Sequence, residues 1–380
     1  MDLKKQNLNY HLFDLLIANG SCFALYRLPG QDTVEFVCQS TALPHIYNDL
    51  SSLSDTGADC GFIAAPFCIG GQHPVVFISP DVRLSGEGDI FAYLGSLNLA
   101  KSEYAGNLHA QKVEQAASST FEHYQKVYET FHAKLLDHAF EKLVLSRTLD
   151  VPEPPHFSVG GVFEKACRQY ADNFIYLLHH PACGTWLGCT PEIILSGEHG
   201  QWKTDALAGT QAIKSTPDPD HIRWDGKNQN EQKIVVDYMQ QQLLKLGISS
   251  SVQPPRTIRS GSLVHLRSEI GFGLADARQI FNVLHTLHPS PAVCGAPKNK
   301  AFDFINENEG YDRAYYAGFV GYFDIHHKTD LFVNLRCMQA FNKHLRLYAG
   351  GGILRSSELK SEWMETEHKL QTVLSLLSTH

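Results

Sequence analysis

The stretch LFVNLRCMQAFNKHLRLYAGGGILRSSELKSEWMETEHK, residues 331–369, has the clearest structural pattern in the sequence. LFVNLRCMQAF and HLRLYAG alternate apolar and polar residues, which predicts two strands joined by a hairpin turn at Asn342-Lys343. The glycine run 350–352 follows, where we expect the second strand to end and the bare backbone to approach a ligand oxygen. Ser356 or Ser357 can then cap a helix.

That helix is predicted to place two carboxylates and one ammonium group beside an apolar face. At about 100° per residue, the apolar stripe consists of Trp363, Leu370, Leu374 and Leu377. Glu362, Glu365 and Lys369 lie together beside this stripe. One interpretation is a solvated face with an ion pair between Glu365 and Lys369. The glycine run and Arg336, on the preceding strand, favour the other interpretation, a compact unit that binds both anions and cations.

The composition is that of an ordinary globular protein. The chain has 380 residues, 43% of them hydrophobic and 19% charged, which is enough for one large domain or two. Its formal charge of -8 argues against a nucleic-acid surface, because a basic excess is needed to neutralise phosphates. An anionic substrate would therefore have to be held by a local cluster of cations and backbone N–H groups.

The sequence indicates a cytoplasmic protein without a membrane partner. Residues 1–20 contain no apolar run long enough for a signal peptide or a membrane span. The nine cysteines are scattered without C-x-x-C spacing, which indicates reduced thiols and neither disulfides nor a zinc site. The histidine pairs 179–180 and 326–327 are sequence neighbours, which face opposite ways on a strand and so argue against a histidine metal site. We expect a monomer or a weak homodimer.

Residues 1–110 predict an N-terminal α/β part without a distinctive motif. A short helix at FDLLIANG precedes strands at SCFALYRLP, TVEFVCQS, GFIAAPF and HPVVFISP. A polar helical region extends from about residue 97 to about residue 139. We expect residues 111–380 to form the catalytic region, in one continuous structural domain with the N-terminal part.

Two residues are candidates for acid–base chemistry. Lys142 begins the predicted strand of FEKLVLSRTLDV and would enter a cleft if its face of the strand lined one. The alternative is a lysine exposed at a strand edge, which is the common case. Glu192 directly precedes the apolar run 193–195, so that burial could raise its pKa. An exposed edge residue is the alternative there.

Other segments carry candidate binding groups. Gly209 and Thr210 end the predicted strand of QWKTDALAGTQ, and they offer backbone approach and a hydroxyl group. Glu231 lies near the start of a predicted helix, where a carboxylate would also suit the helix dipole. His265 lies on the predicted strand of LVHLRSEIGFGL.

These motifs, in this order, resemble the chorismate-utilising enzymes, the family of anthranilate synthase component I. The resembling segments span roughly residues 135–378 and are EKLVLSR, GCTPEIILSG, ALAGT, NEQKIVVDYM, VHLRSEI, LHPSPAVCGAP, EGYDRAYYAGFVGYFD, VNLRC and YAGGGILRSSELKSEWMETEHK. The resemblance implies an α/β (α+β) fold in a single large domain. Two stacked, largely antiparallel sheets would be flanked by helices, with the site in a cleft between the sheets.

Within the family the segments are most similar to the members that convert chorismate to isochorismate. This isomerisation depends on Mg²⁺, and in it water adds at C2 while the C4 hydroxyl leaves. The resemblance implies that Lys142 activates the water and that Glu192 protonates the leaving hydroxyl. It implies metal ligands at Glu231, Glu362 and Glu365. It implies substrate contacts at Gly209, Thr210, His265, Arg336, Gly350, Gly351, Gly352 and Lys369. Carboxylate oxygens suit Mg²⁺, and the cations suit a substrate with two carboxylates.

Several alternatives stay open. Lys142 argues against relatives that add ammonia, and Ala208 against aminodeoxychorismate synthases, which resemble this chain but carry a lysine there. Salicylate synthases share the base and the acid and then eliminate pyruvate. The pathway is expected to be menaquinone biosynthesis, with a catechol siderophore or salicylate as alternatives. A non-catalytic chorismate-binding protein is disfavoured, because binding alone needs no base. Asn228 and Gln232 replace an acidic residue and a histidine common in relatives and should weaken the outer metal shell.

Overall fold

The computed structural model describes residues 8–40, 45–55, 59–97, 99, 119–212 and 222–378. The strands are β1 Cys22–Arg27, β2 Val34–Gln39, β3 His45–Tyr47, β4 Cys60–Ala65, β5 Val75–Ile78, β6 Val82–Ser85, β7 Lys142–Pro152, β8 Phe174–His180, β9 Gly184–Thr190, β10 Ile193–Glu198, β11 Gln201–Ala212, β12 Ser250–Val252, β13 Arg256–Ser260, β14 Leu263–Gly273, β15 Gly295–Ala296, β16 Phe319–Asp324, β17 Lys328–Val333, β18 Cys337–Phe341 and β19 His344–Ile353.

The helices lie between and after these strands. They are α1 Leu12–Ala18, α2 Leu50–Asp55, α3 Glu87–Ser96, α4 Phe121–Leu136, α5 Val159–Gln169, α6 Gly226–Lys245, α7 Gln279–Leu287, α8 Lys298–Asn308 and α9 Leu359–Leu377, with a short 3₁₀ helix at Leu8–His11. No helix among the described residues is both long enough and apolar enough to cross a membrane.

The strands form two large sheets. The first sheet has the order β15–β7–β19–β18–β9–β8–β1–β2–β6, and the second has the order β12–β14–β11–β10–β17–β16–β4–β5–β3, with β13 also paired to β14. Every pairing in both sheets is antiparallel. The expectation of two antiparallel sheets flanked by helices is therefore confirmed.

The two sheets pack face to face. The ring of Phe174 on β8 stacks on the ring of Phe332 on β17, with 4.2 Å between centroids, and Tyr26 on β1 meets Phe62 on β4 at 5.4 Å. Such aromatic pairs add about 0.5–1.5 kcal/mol each beyond their buried area. A second apolar cluster covers the other face of the first sheet, where residues such as Phe13 of α1 pack against the strands. The first sheet is thus covered by helices on one face and by the second sheet on the other.

Two of the points at which the chain passes from one sheet to the other lie side by side. The segment LFVNLRCMQAF, predicted as one strand, is two strands in different sheets, β17 and β18, so that prediction is wrong. Arg336 lies in the connection with a positive φ of 49° and not on a strand. The other crossing joins β9 to β10 and carries Glu192. Backbone hydrogen bonds from Val333 N–H to Glu192 O and from Cys189 N–H to Arg336 O join the two crossings.

The glycine run lies at the end of β19, one residue before the strand ends at Ile353, but its backbone is paired and not bare as predicted. Gly350, Gly351 and Gly352 pair with Ser146, Leu145 and Val144 of β7. The predicted hairpin turn is confirmed, because Phe341 pairs with His344 across Asn342 and Lys343. The glycines leave open the space into which their side chains would otherwise project.

Helix α9 begins later than predicted, and the face that it buries differs from the predicted one. Its N-terminal cap residue is Glu358, and the Ser357 hydroxyl instead accepts a hydrogen bond from Leu354 N–H. The side chains that α9 buries include Glu362, Thr366, Leu370 and Val373. Glu362 is therefore at the centre of the buried face and not at its edge.

The N-terminal part contributes strands to both sheets. Strands β1, β2 and β6 extend the first sheet, and β3, β4 and β5 extend the second. The predicted division between residues 110 and 111 lies outside the described residues, as do residues 98 and 100–118 of the helical region predicted from residue 97. The later part of that region forms α4, as predicted.

Candidate active site

A cleft of about 600 Å³ opens where the chain crosses between the sheets. Its walls come from β7, β11, β14, β19, α6, α9 and both crossings. Of the predicted site residues, those that line it are Glu192, Gly209, Thr210, Glu231, His265, Arg336, Gly350, Gly351, Gly352, Glu365 and Lys369. Lys142 and Glu362 lie directly behind this lining. The predicted residues therefore lie together, although their roles stay predictions.

Lys142 is fully buried and contacts the carboxylate of Glu231. Its Nζ lies 2.9 Å from Glu231 Oε1, across the gap between the start of β7 and helix α6. Gly352 makes this contact possible, because a Cβ there would overlap Glu231 Oε1 and lie 2.8 Å from Lys142 Cε. Burial alone would raise the pKa of Glu231, but the Lys142 ammonium, with Lys227 and Lys369, outweighs burial and lowers it. Glu231 is therefore ionised at neutral pH.

Glu192 is buried at the crossing from β9 to β10, with 2% of its surface exposed. Its Oε1 has no hydrogen-bond partner within the described residues. Burial, followed by the charge of Asp205, raises the pKa of Glu192 to about 8, against the opposing effect of Lys142, Lys369 and Arg336. Glu192 is thus mainly protonated at neutral pH, which suits an acid that donates into the cleft.

Arg336 and His265 form a buried pair on the cleft wall. The Nη2 group of Arg336 contacts His265 Nε2, and its Nη1 group donates to Ser260 Oγ. Burial, Arg336 and Lys369 lower the pKa of His265 well below its usual value, so the ring is neutral. His265 Nδ1 lies 3.0 Å from Gly209 O, which must accept from it, and Nε2 is then the acceptor for Arg336. His265 fixes the guanidinium of Arg336.

Gly209 and Thr210 lie at an irregularity in β11, where the register against β14 shifts after Ala208. Gly209 has a φ of 70°, and a Cβ there would lie 2.9 Å from Asn228 Oδ1. Asn228 Oδ1 accepts a hydrogen bond from Thr210 N–H, and Gln232 Nε2 donates to Ala206 O. The two residues that depart from the family pattern therefore bind the backbone of β11 and hold α6 against it.

The carboxylates of α9 face lysines. Lys369 Nζ donates to Glu365 Oε1 at 2.7 Å and to Gly350 O at 2.8 Å. Lys227, at the start of α6, contacts Glu362 Oε1. Sequence reasoning missed Lys227, although it precedes Glu231 by four residues and so lies on the same face of the helix. The predicted ion pair between Glu365 and Lys369 is present, but it faces the cleft.

The donors around Gly351 fit a divalent cation. A Cβ at Gly351 would lie 3.4 Å from both Glu362 Oε2 and Glu365 Oε1, so the missing side chain leaves a space between two carboxylates. Glu362 Oε2 is buried without a hydrogen-bond partner in the described part of the chain. Burial and Glu365 raise the pKa of Glu362 to about 7, against the opposing effect of Lys227. Glu231, the third predicted ligand, is held by Lys142.

Within the described ranges, no group of three or more His, Cys, Asp and Glu side chains is arranged to hold a metal ion. The three predicted glutamates are not gathered around one point, because each has an ammonium group in contact with it. The pair of carboxylates beside Gly351 is the part of the predicted set that comes together.

A buried network supports β7 behind the cleft. Arg313 donates from Nε to Glu309 Oε2 and from Nη2 to Glu309 Oε1, and Glu309 Oε1 also accepts from Ser146 N–H and Ser146 Oγ. Arg313 Nη2 further donates to Val144 O. These bonds fix the strand that carries Lys142. Sequence reasoning missed this network, because its bonds join residues of β7 to residues far away in the sequence.

Residues 90–378 match the sequence model of the family described as chorismate binding enzyme. The chain belongs to this family. Among curated proteins, the chain is 31% identical over 244 residues to the isochorismate synthase MenF of Escherichia coli K12, covering 62% of this chain and 56% of that protein. It is 28% identical over 287 residues to the isochorismate synthase DhbC of Bacillus subtilis 168, covering 70% and 72%. The matched region is thus little more than half the length of the first relative.

Solved structures show that the family fold is shared. A putative 2,3-dihydroxybenzoate-specific isochorismate synthase, DhbC from Bacillus anthracis, superposes with a TM-score of 0.75 at 22% identity, covering 96% of this chain and 99% of that one. The menaquinone-specific isochorismate synthase MenF of Escherichia coli gives a TM-score of 0.75 at 21% identity, with coverage of 100% and 93%. The chain therefore has the fold of these proteins along nearly its whole length.

Proposed function

We propose that this chorismate-binding enzyme is an isochorismate synthase, an isomerase that adds water at C2 of chorismate and removes the C4 hydroxyl. The observation that carries the proposal is that a buried lysine and a buried, protonated carboxyl group serve one cleft. Lys142 and Glu192 come from different elements, β7 and the crossing between the sheets. A protein that only binds chorismate needs neither a base nor an acid. The relatives named as isochorismate synthases support the same activity.

The two residues divide the proton transfers of the reaction. The Lys142 ammonium that contacts Glu231 must first lose a proton, and the resulting amine takes one proton from water as the water oxygen bonds to C2. The ring double bonds shift, the C4–O bond breaks, and Glu192 gives its proton to the departing oxygen. One water is consumed and one is released, so the reaction is an isomerisation. Because both side chains are buried, bulk water does not compete for these protons.

The cleft also supplies the charges that a dianionic substrate needs. Arg336 has further N–H donors beyond those that bind Ser260 and His265. Lys369 reaches the cleft from α9, between Gly350 O and Glu365. The glycine run provides space for the substrate beside β19. It was predicted as a carboxylate-binding turn, but its backbone belongs to a strand paired with β7.

We propose Mg²⁺ as the cofactor, held by Glu362 and Glu365, with Glu231 as a further oxygen donor. When bound, Mg²⁺ would neutralise carboxylate charge on the protein and on the substrate. The open space beside Gly351 and the unpaired Glu362 Oε2 support this assignment. Oxygen donors of this kind are the ligands that Mg²⁺ prefers.

The experiment that tests the function is incubation of the purified protein with chorismate and Mg²⁺, followed by chromatographic separation of the products. We expect isochorismate without pyruvate, lost in Lys142→Ala and Glu192→Gln and retained in Lys233→Ala, which changes an exposed lysine on α6. Salicylate with pyruvate would identify a salicylate synthase instead. Unchanged chorismate, together with thermal protection by chorismate and Mg²⁺, would overturn the enzyme proposal in favour of a binding protein.

We further propose menaquinone biosynthesis as the pathway. The similarity to MenF proteins of Escherichia coli and Bacillus subtilis supports it, although DhbC and EntC proteins are also among the relatives. Deletion of the gene in its own host, followed by measurement of menaquinone and of catechol siderophores, tests this. Loss of menaquinone alone is the expected result, and loss of a siderophore alone would contradict it.

A further inference from the structure

Asp205 lies on β11 behind the cleft, and its buried carboxylate has a hydrogen bond at one oxygen and an ion-pair contact at the other. Asp205 Oδ2 accepts a hydrogen bond of 3.2 Å from the backbone N–H of Ile193, the residue directly after Glu192. Asp205 Oδ1 lies 2.9 Å from Arg267 Nε on the neighbouring strand β14. Asp205 does not line the cleft and belongs to no motif by which the family was recognised.

The bond to Ile193 replaces a missing strand contact. The pairing of β10 with β11 runs from Ser196 opposite Lys203 to Glu198 opposite Gln201, and Ile193 lies beyond it. The Asp205 side chain therefore supplies the acceptor that the backbone of β11 does not supply. On the other side of the crossing, Glu192 O accepts from Val333 N–H. The backbone that carries Glu192 is thus fixed from two directions.

Asp205 is also a negative charge that acts on the Glu192 carboxyl group, because its carboxylate binds the backbone of the next residue. Three cations on other elements act most strongly on Glu192, namely Lys142 of β7, Lys369 of α9 and Arg336 of the crossing between β17 and β18. All three favour the ionised carboxylate, whereas burial and Asp205 favour the protonated form.

Arg267 favours the ionised form of Asp205. Burial raises the pKa of Asp205 to about 6, and the guanidinium of Arg267 limits this rise. At neutral pH Asp205 is therefore mainly ionised while Glu192 keeps its proton. Arg267 also lies 3.8 Å from Glu269, so removal of the Asp205 charge does not leave the guanidinium without an anion nearby.

We propose that Asp205 is a positioning residue for Glu192. It holds the backbone at the crossing and keeps a negative charge beside the Glu192 carboxyl group, so that this group retains its proton among three cations. The catalytic consequence rests on the proposed function, but the protonation of Glu192 does not, and it can be measured without any substrate.

The direct test is isotope-edited infrared spectroscopy of the free protein across pH, with the Glu192 carboxyl band assigned by its loss in Glu192→Gln. In Asp205→Asn, which keeps an oxygen for Ile193 N–H, we expect the band to disappear at a pH lower by about one unit, the scale of a neighbouring charge. Asp330→Asn is the matched control, because Asp330 is a buried aspartate that binds Ser196 of β10 and pairs with Lys328. An unchanged titration in Asp205→Asn would overturn the proposal.

A second variant is expected to act in the opposite direction. Arg267→Gln leaves the Asp205 charge uncompensated, so the last proton of the Glu192–Asp205 pair should be lost at higher pH. In the Asp205→Asn background the same change should have little effect. A shift of equal size in both backgrounds would show that Arg267 acts on Glu192 without Asp205 and would contradict the proposal. If Asp205→Asn folds poorly, Arg267→Gln alone still tests the proposal, because an unchanged titration of the Glu192 band in that variant would contradict it.

The activity readout separates this proposal from the proposed function. If the protein converts chorismate, the alkaline decline of kcat/KM should move to lower pH in Asp205→Asn, with the rate at acidic pH less affected. A uniform loss of rate at every pH, with an unshifted carboxyl band, would indicate a purely structural role and overturn the proposal. Absence of turnover in the unaltered protein would refute the function while the infrared titration still decides the role of Asp205.

Discussion

The ammonium group of Lys142 lies 2.9 Å from a carboxylate oxygen of Glu231, and the Lys142 side chain is wholly buried. This contact connects the proposed base to a proposed ligand of Mg²⁺. It also means that each partner would be an isolated buried charge without the other. Substitutions at Lys142 are therefore expected to affect both activity and stability.

Lys142→Met should lower turnover of chorismate by about 10²–10⁴-fold, the range associated with a general base. It should also lower the free energy of unfolding by about 3–5 kcal/mol, because Glu231 loses its buried partner. Chorismate consumption and urea unfolding measure the two effects. Lys233→Ala, which removes an exposed pair on α6, should cost less than about 1 kcal/mol. Full turnover in a folded Lys142→Met protein would exclude Lys142 as the base.

Glu192→Gln should change how stability depends on pH. The pKa of Glu192 is about 8 in the folded protein and about 4.3 in an unfolded chain, so the folded state alone holds the proton between these values. The contribution of Glu192 to stability is complete below pH 4 and is lost as the pH rises to 8.

Urea unfolding at pH 5 and pH 8 measures this loss. The difference between the two should be smaller in Glu192→Gln by a few kcal/mol, at roughly 1.4 kcal/mol per pKa unit. Glu198→Gln, which changes an exposed carboxylate at the end of β10, should keep the wild-type difference. Identical pH dependence in all three proteins would show that Glu192 is ionised when folded.

Local patterns predicted the hairpin and the strands well, but they could not predict where the chain changes sheets. In LFVNLRCMQAF the strands on both sides of Arg336 are buried, as Val333 and Cys337 are. The apolar pattern therefore continues through Arg336 as it would in a single strand. Burial therefore shows no break at the crossing, and the positive φ of Arg336 leaves no trace in the sequence. The crossing that carries Glu192 was not predicted either. The motif identified Glu192 as a site residue but did not show that it lies between two sheets.

Residues whose role depends on distant contacts were the ones missed. Lys227 contacts Glu362, 135 residues away, and Asp205 reaches Ile193 across the end of a strand pairing. The solvated-face interpretation of α9 was wrong for Glu362, which is buried. The glycines of β19 leave space for its carboxylate, and Lys227 contacts it. Helical spacing defines a face but does not say what packs against it.

Removal of one carboxylate beside Gly351 should weaken Mg²⁺ binding. Glu362→Gln and Glu365→Gln each remove a charged oxygen donor, so the affinity should fall by at least about 10-fold, the lower end for changes around a metal. Calorimetric titration of Mg²⁺ into the substrate-free protein measures this. Glu367→Gln is the control on the same helix, since that carboxylate binds Arg147 away from the cleft. If all three variants bind Mg²⁺ as tightly as the unaltered protein, the cation binds elsewhere.

Gly352→Ala should abolish activity while the fold is retained. The added methyl group would overlap Glu231 Oε1 and lie 2.8 Å from Lys142 Cε, so it must separate the two charged groups. We expect a loss of at least about 10²-fold in turnover, since a misplacement of 1 Å at a reacting group has this effect. Gly88→Ala is the control, because a Cβ at that helical position meets nothing within 4 Å and should be neutral or stabilising. Turnover by chorismate assay and circular dichroism of both variants distinguish a displaced contact from a general loss of structure. Normal turnover in Gly352→Ala would mean that the contact between Lys142 and Glu231 is not required for the reaction.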